Sequence, residues 1–390
     1  MDNPNHCIRN TNPENEGGRD GIPSDVLADI LTRLPAKLVT RLRVVNKLWE
    51  GIPKNSSFIE AHLEHAKKYA NPFLLLSEED SSITFINTDT WEKTSMVING
   101  HDGKFILPNS CCDGLVCLTN KDDRSMILNP TTRECFMIPE PPIRTNILEL
   151  GFDSSSKVYK VLRVSNPKKD ENYIWEILTV GDTLWRPVGT TTGEDIFIGG
   201  IYVKGIVYWA VYKEGEISLL FFDFKEERLS SASAGTCKPL RSDGFEQLLE
   251  VRGNLGMAIT REDITIYSPD DEEYQLMEIW VMGDGINNWS KECSLAVPAE
   301  LYFEVLFLKG KKILLHNKID NGLYYYDLEN HRLGPKEFDL PHLQCCTPCV
   351  ESLVTLKDRF SPMDLVLVRS GGVGGVQGMH GDGIDVNGAD

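Results

Sequence analysis

Long apolar runs are absent from this chain of 390 residues, and no stretch approaches the ~18 uninterrupted apolar residues of a membrane-spanning helix. Residues 1–20 are polar throughout and contain no apolar core of a secretory leader. Basic residues are in short supply, 40 Lys and Arg against 58 Asp and Glu. The net charge of −18 argues against nonspecific binding to DNA or to anionic membranes. A basic protein partner stays open. Cysteine is sparse as well. Ten in a chain this long cannot form a disulfide scaffold, and without a leader they are expected as reduced thiols. These absences predict a soluble protein of the cytoplasm and/or the nucleus.

Catalytic signatures are missing too. There is no Gly-x-Ser-x-Gly elbow and no Walker loop. The run Gly372-Val373-Gly374-Gly375-Val376-Gln377 lacks the third glycine of a dinucleotide loop and has no helix after it, so it belongs to a flexible tail. His342, Cys345, Cys346 and Cys349 have metal-like spacing, but a structural zinc needs four ligands, usually as two such pairs. The nearest other cluster, Cys111, Cys112 and Cys117, lies on strand-like sequence and suits small buried apolar residues. The segment His380–Asp385 hints at a calcium repeat, yet one copy cannot build such a site. The expectation is no metal, no cofactor and no enzymatic activity.

What is present falls into four zones. Residues 1–20, rich in Asn, Pro, Glu and Gly, form a disordered lead. Residues 21–68 have helical periodicity, residues 69–369 consist of short β-type runs, and residues 370–390 are a flexible Gly-rich tail. In the helical zone, Ser24 is expected as an N-cap, and Val26, Leu27, Ile30, Leu31 and Leu34 share one wide apolar face. Pro35 ends that helix. A second helix is expected over Lys37–Glu50 with Leu38, Leu42, Val45 and Trp49 in register, stopped by Gly51 and Pro53. Ser56 or Ser57 would cap a third, bearing Ile59, Leu63 and Ala66. Three short helices bury little surface alone, so part of this apolar face should belong to a partner.

The β zone repeats weakly. A strand-like run, a polar turn, a second run and a closing Asn, Asp or Ser recur from Asn71 to Asn87, Gly114 to Asn129, Gly205 to Asp223, Gly253 to Ser268 and Gly310 to Asp327. A divergent copy starts near Lys157. The openers are then spaced 43, 43, 48, 48 and 57 residues apart, the period of propeller blades. Trp91, Trp185 and Trp289 each follow a pair, where the last strand of a blade would fall. The expected fold is therefore α+β and multidomain, with helices followed by a propeller-like ring of about six blades.

Acidic runs at Glu78-Glu79-Asp80, Lys121-Asp122-Asp123, Glu226-Glu227 and Asp270-Asp271-Glu272-Glu273 fall at expected turns, as solvated loop tips or as a field that steers a basic substrate. Residues 21–70 carry eight Lys and Arg against five Asp and Glu, which leaves −21 on the remainder. A mildly basic module beside an acidic one is consistent with a different partner for each half.

The segment from Ile22 to Leu63 resembles an F-box. The likeness rests on Pro23, the Leu34-Pro35 step, the run Arg41-Leu42-Arg43-Val44-Val45, Lys47-x-Trp49, and Phe58-Ile59-x-x-His62-Leu63. Ile22, Asn46 and Leu48 depart from the usual Leu, Cys and Ser. The rest is similar to the plant F-box-associated class, which includes S-locus F-box and F-box/kelch-repeat proteins. It shares Ser110-Cys111-Cys112-Asp113-Gly114-Leu115-Val116-Cys117 (with an inserted second cysteine), Leu128-Asn129-Pro130-Thr131-Thr132, and Leu150-Gly151-Phe152-Asp153 before Tyr159-Lys160-Val161. Trp185-Arg186, Gly205-x-x-Tyr208-Trp209 and Phe222-Asp223 complete the likeness.

The resemblance implies an adaptor without chemistry of its own. The F-box would dock on the SKP linker of an SCF-type ubiquitin ligase and, through it, on the cullin and RING subunits, while the ring holds a protein substrate. The docking face implied is Pro23, Val26, Ile30, Leu31, Leu34, Pro35, Leu38, Val44, Val45 and Trp49, with Trp49 as the anchor. Within the class, S-locus members target basic secreted ribonucleases, with which an acidic ring is compatible. A second reading is a stand-alone propeller scaffold whose helices merely cap the ring; a hydrolase built on the propeller is a distant third.

Overall fold

The computed structural model describes residues 22–42, 51–77, 82–98, 105–106, 111–120, 124–140, 147–165, 172–191, 196–213, 216–233, 246–267, 272–340, 346–356 and 368–371. Three helices come first: α1 (Ser24–Thr32), α2 (Ala36–Leu42) and, after a 3-10 turn at Ile52–Lys54, α3 (Ser56–Tyr69). Pro23 takes the N-cap position of α1 without a side-chain hydrogen bond, so Ser24 is the first helical residue rather than the cap. Asn55, not Ser56 or Ser57, caps α3; its Oδ1 accepts from the amides of Ser57 and Phe58. Residues 43–50, including Val44, Val45 and Trp49, lie outside the described residues.

All remaining elements among the described residues are strands, arranged as six antiparallel blades. Blade 1 contains β1 (Phe73–Ser77), β2 (Ser82–Ile86) and β3 (Lys93–Ile98); blade 2 contains β4 (Phe105–Ile106), β5 (Val116–Asn120), β6 (Ser125–Asn129) and β7 (Glu134–Met137). Blade 3 is β8 (Ile147–Asp153), β9 (Val158–Ser165), β10 (Tyr173–Thr179) and β11 (Arg186–Thr191). Blade 4 is β12 (Ile196–Val203), β13 (Ile206–Lys213), β14 (Glu216–Asp223) and β15 (Arg228–Ser233). Blade 5 is β16 (Glu246–Val251), β17 (Asn254–Tyr267), β18 (Glu273–Met282) and β19 (Trp289–Pro298). Blade 6 is β20 (Phe303–Lys309), β21 (Lys312–Asn317), β22 (Gly322–Asp327) and β23 (Arg332–Asp339). The chain then returns to blade 1, where β24 (Cys346–Cys349) pairs with β1 on the inside and β25 (Val368–Gly371) with β3 on the outside. Ring closure therefore joins two distant parts of the chain in one sheet, which removes the open edges of both. β25 also takes in Ser370 and Gly371, which the sequence assigns to the tail.

The core is divided among the seams between blades. One apolar cluster joins blades 1 and 2 around Leu75, Val116 and Leu128, another joins blades 3 and 4 around Trp175, Trp209 and Phe222, and a third joins blades 5 and 6 around Ile279 and Leu315. The ring closes through Leu74, Ile86, Phe307 and Leu314 of blades 1 and 6. Trp185 and Trp289 stand at the start of the outermost strands of blades 3 and 5, whereas Trp91 precedes β3, which β25 covers on its outer side; each fills a seam. Trp91 stacks on Phe338 at 5.8 Å across the closure of the ring, and Trp185 donates its indole N–H to the Pro139 carbonyl of blade 2.

The repeat seen in the sequence corresponds to the second and third strands of a blade with their flanking turns. Its openers lie at the turn that enters the second strand, where Lys157, Gly205, Gly253 and Gly310 have φ between 48° and 88° alongside Lys204 and Arg252. Its closing Asn and Asp residues cap the next turn. The Oδ1 atoms of Asn87, Asn129, Asp223 and Asp327 each accept hydrogen bonds from the amides two and three residues on. The copy at Gly253 differs. Both of its runs belong to the single long strand β17, whose bulge between Arg261 and Thr265 absorbs the polar Arg-Glu-Asp stretch, and its true partner is β18.

Candidate docking surface and its mount

The first two helices divide their apolar residues between two faces. Leu27, Leu31, Ala36 and Val39 point inward with Phe58 of α3. Val26 and Ile30, one turn apart on α1, are 46% and 42% exposed, Leu38 of α2 is 41% exposed, and Pro23 and Pro35 are exposed as well. With Ile22, these account for four of the ten large hydrophobic side chains exposed among the described residues, within a span of 17 positions. Such clustering marks an interaction surface more than scattered exposure does. Leu34 is half-buried and Leu31 is 1% exposed. Leu31, expected on the docking face, is one turn from Leu27 on the stripe that packs inward, so the exposed apolar face consists of the residues on the opposite side of α1.

The inward face is completed by the far end of the chain. Leu353, 1% exposed, belongs to the same cluster as Leu27, Leu31 and Phe58. It lies on a strap, residues 350–356, that leaves β24 and runs between the helices and blade 2. On the blade side, the Asn129 amide donates to the carbonyls of Ser352 and Val354 at 3.2 and 2.7 Å, and Glu134 accepts from the Leu356 amide and the Thr355 hydroxyl. On the helix side, Glu351 accepts from the Lys37 amide at 3.2 Å. The strap thus satisfies its backbone from one partner and buries its leucine in the other.

Helix α3 is fastened directly to the ring. Ile59 and Leu63 pack with Cys112, Leu115, Val354 and Leu356 between blades 2 and 3. Lys67 pairs with Asp113 at 2.7 Å, Lys157 reaches Glu60 at 3.2 Å, and Lys309 donates to the Lys67 carbonyl at 3.0 Å. Burial is the largest single influence and pulls the Lys67 pKa down, but the charge and hydrogen bond of Asp113, together with Glu64 and Cys112, outweigh it and the net shift is upward. His62 is buried and bonds through Nε2 to the Leu34 carbonyl at 2.8 Å, so this nitrogen carries the proton. Burial holds the His62 pKa below its ordinary value against the raising effect of that bond.

The motifs that carry the resemblance become legible here. Asp113 receives Lys67 and the Tyr159 hydroxyl. Gly114 has φ +77°, and a Cβ on it would lie 2.3 Å from that of Ser352, so only glycine lets the strap pass. Asp153 and Lys160 form a buried pair at 2.9 Å that also takes Glu227 and the Phe224 carbonyl from blade 4, and Arg186 completes it through Glu227. Burial disfavours the charged form of Asp153, but hydrogen bonds from Ser155, Ser156 and Lys160 win and hold its carboxyl far below the usual range. The most specific sequence signals thus mark seams and the mount.

Three findings correct or bound the cysteine and metal expectations. Cys111 and Cys349, 238 positions apart, are joined as a disulfide, contrary to the expectation that all ten are reduced; ring closure brings their Cα atoms to 5.6 Å. Cys112 and Cys117 are buried as free thiols. No group of three or more His, Cys, Asp or Glu among the described residues could hold a metal. His342, Cys345, the Gly372–Gln377 run and the His380–Asp385 segment lie outside the described residues, as do acidic residues 78–80, 122, 123, 270 and 271. A polar cavity of about 270 Å³ at the seam of blades 6 and 1 is lined by Asn71, Asp89, Trp91, Lys309, Tyr325 and Glu337 among others. Of its two lysines, Lys309 is already bonded to α3 and Lys312 lies over the Tyr325 ring, and its carboxylates oppose these cations.

A six-bladed β-propeller carrying a helical module with an exposed apolar face is thus the class of protein defined by the structure. The chain belongs to the family described as the F-box associated beta propeller domain, whose match covers residues 65–340. Among its relatives are three proteins of Arabidopsis thaliana. One, At1g53370, named as an F-box protein, is 30% identical over 255 residues, 61% of this chain and 66% of that protein. Another, At3g22730, named as an F-box/kelch-repeat protein, is 28% identical over 304 residues, 70% of this chain and 76% of that one. A third, At3g10240, also named as an F-box protein, is 24% identical over 80% of this chain and 87% of its own length.

Proposed function

We propose that the chain is a non-catalytic substrate receptor of an SCF-type ubiquitin ligase, working in the cytoplasm or the nucleus. The helices form an F-box that docks on a SKP-family linker through Pro23, Val26, Ile30, Pro35 and Leu38, joined by Leu34, Val44, Val45 and Trp49. The linker brings the cullin and RING subunits, and the propeller binds the protein to be modified, a partner whose basic character would suit a strongly acidic ring. The observation that carries the reading is the outward apolar face of α1 and α2 on helices whose other face is fully packed. A rigid mount suits the role, because a receptor contributes proximity and orientation to a reaction performed by another subunit.

The scaffold reading also accounts for helices fastened to the ring. It has no use for an exposed apolar face, and that face separates the two. The test is a pull-down of the full chain on a purified SKP-family linker, compared with the variant Val26→Asp/Ile30→Asp. Both side chains are exposed, so the variant should melt like the wild type. Retention of the wild type and loss of the variant supports the adaptor; failure of the wild type to bind overturns it and leaves the scaffold.

A further inference from the structure

The doubled cysteine at 111–112 and the cysteine-rich run ending at Cys349 are the sequence features that the adaptor role does not absorb. The structure divides the doublet. Cys112 turns into the core beside Leu63 and Leu115, whereas Cys111 turns to Cys349. Cys349 is the last residue of β24, the four-residue strand that closes the ring against Phe73 of β1. The next residues are the strap, with Glu351 on Lys37 and Leu353 in the helical core. Cys111 opens the turn whose Asp113 holds Lys67 and whose Gly114 lies against Ser352. One covalent bond therefore fastens ring closure, blade 2 and the root of the strap together.

We propose that Cys111 and Cys349 are a reversible thiol–disulfide clasp, a modification site for low-molecular-weight disulfides of the glutathione type, whose oxidation locks the ring and tightens the helical mount. Two observations support reversibility. Each sulfur also lies near a carbonyl to which its thiol can donate once the bond is reduced, Leu115 for Cys111 at 3.4 Å and Val350 for Cys349 at 3.8 Å, so reduction leaves an acceptor near each thiol. Cys111 is half-buried while Cys349 is 2% exposed, which gives the exchange a definite entry point.

In the forward direction the Cys111 thiolate attacks one sulfur of the small disulfide and expels a thiolate, which takes up the proton that Cys111 lost. The Cys349 thiolate then attacks the Cys111 sulfur of the mixed disulfide and expels the second thiolate, which takes up the proton from Cys349. Two protein thiols are oxidised by two electrons and one small disulfide is reduced to two thiols. A dithiol reductant reverses the sequence by attack at Cys111, with Cys349 as the leaving group.

The full-length chain is equilibrated in glutathione disulfide or in dithiothreitol, alkylated, and mapped by mass spectrometry without reduction, while parallel samples are melted. The oxidised wild type should yield a peptide link between the segments containing Cys111 and Cys349. The link should be lost in Cys111→Ser and kept in Cys112→Ser and Cys346→Ser. A clip across so long a loop should raise the melting temperature by roughly 5 °C relative to the reduced protein. Residues 350–356 should exchange amide hydrogen more slowly in the oxidised form. Cys111→Ser, altering the more exposed partner, should melt like the reduced wild type in both buffers. Alkylation of both cysteines in the oxidised native chain would overturn the proposal, as would a redox-dependent melting shift that persists in Cys111→Ser.

Discussion

The ammonium of Lys67, in the last turn of α3, lies 2.7 Å from the carboxylate of Asp113, at the turn that leads into blade 2. Asp113 is 8% exposed and also accepts from the Tyr159 hydroxyl at 3.1 Å. One carboxylate therefore ties the end of the helical module to blades 2 and 3. Because Lys67 keeps part of its side chain in water, the pair is worth less than a fully enclosed one.

Replacing Lys67 by Met leaves Asp113 buried without its cation. The expected loss is on the order of 1–2 kcal/mol, seen as a lower denaturant midpoint. Lys67→Met combined with Asp113→Asn should cost less than the two single changes added together, because the second change removes the unpaired charge left by the first.

Gly114→Ala tests the passage of the strap. The new methyl would meet Ser352 Cβ at 2.3 Å and the Val350 carbonyl at 2.7 Å, in a backbone conformation with φ +77°. The expected cost is more than about 1 kcal/mol. Faster amide exchange should be confined to residues 350–356 and to α1–α3, with blades 4 and 5 unchanged. Uniform loosening of all blades would show that the strap has no special dependence on this glycine.

Asn129 is fully buried and serves two elements at once. Its oxygen caps the turn at Thr131 and Thr132, and its nitrogen holds the strap carbonyls. Asn129→Asp keeps the cap but faces two carbonyl oxygens with a carboxylate, so it should destabilise by about 2–3 kcal/mol at neutral pH. Part of that loss should be recovered on acidification, when the acid regains a donor. A Thr replacement, too short to reach the strap, should show no such recovery.

The pH dependence of the helical module follows from His62. Its folded pKa is below the ordinary 6.5, chiefly through burial, so the folded state favours the neutral ring. Below that ordinary value the unfolded chain binds more protons than the folded one. The stability contributed by the neutral ring is complete above it and falls as pH drops through 6.5 toward the lower folded value. His62→Gln can keep a donor for the Leu34 carbonyl without titrating. Its denaturation midpoint should change less than that of the wild type between about pH 7.5 and pH 5.

Much of this architecture was legible in one dimension, for specific reasons. Turn chemistry is local, so the φ-positive openers and the Asn or Asp caps repeat visibly even though the strands between them share little. The innermost strands lie outside the repeated unit, and two of them, β4 and β24, are only two and four residues long. The repeat at Gly253 misled because a bulge and a turn look alike in sequence: both interrupt an apolar run with polar residues. The apolar face of α1 is wide enough to serve two surfaces, and periodicity alone does not assign Leu31 to the inward one.

By itself the sequence determined the local terms: helices where apolar residues recur at three and four positions, hairpins where β-branched runs end in Asn, Asp or Gly, and a tryptophan between successive strand pairs. Those depend on backbone preferences and side-chain hydrogen bonds within a few residues, which the order of residues specifies. Only the tertiary structure decided that Leu353 completes the helical core, that Asn129 and Glu134 hold the strap, and that Cys111 meets Cys349. Each of these joins positions more than 200 apart. They become neighbours only after six blades close and the chain returns to its first sheet, a condition set by the packing of every seam at once.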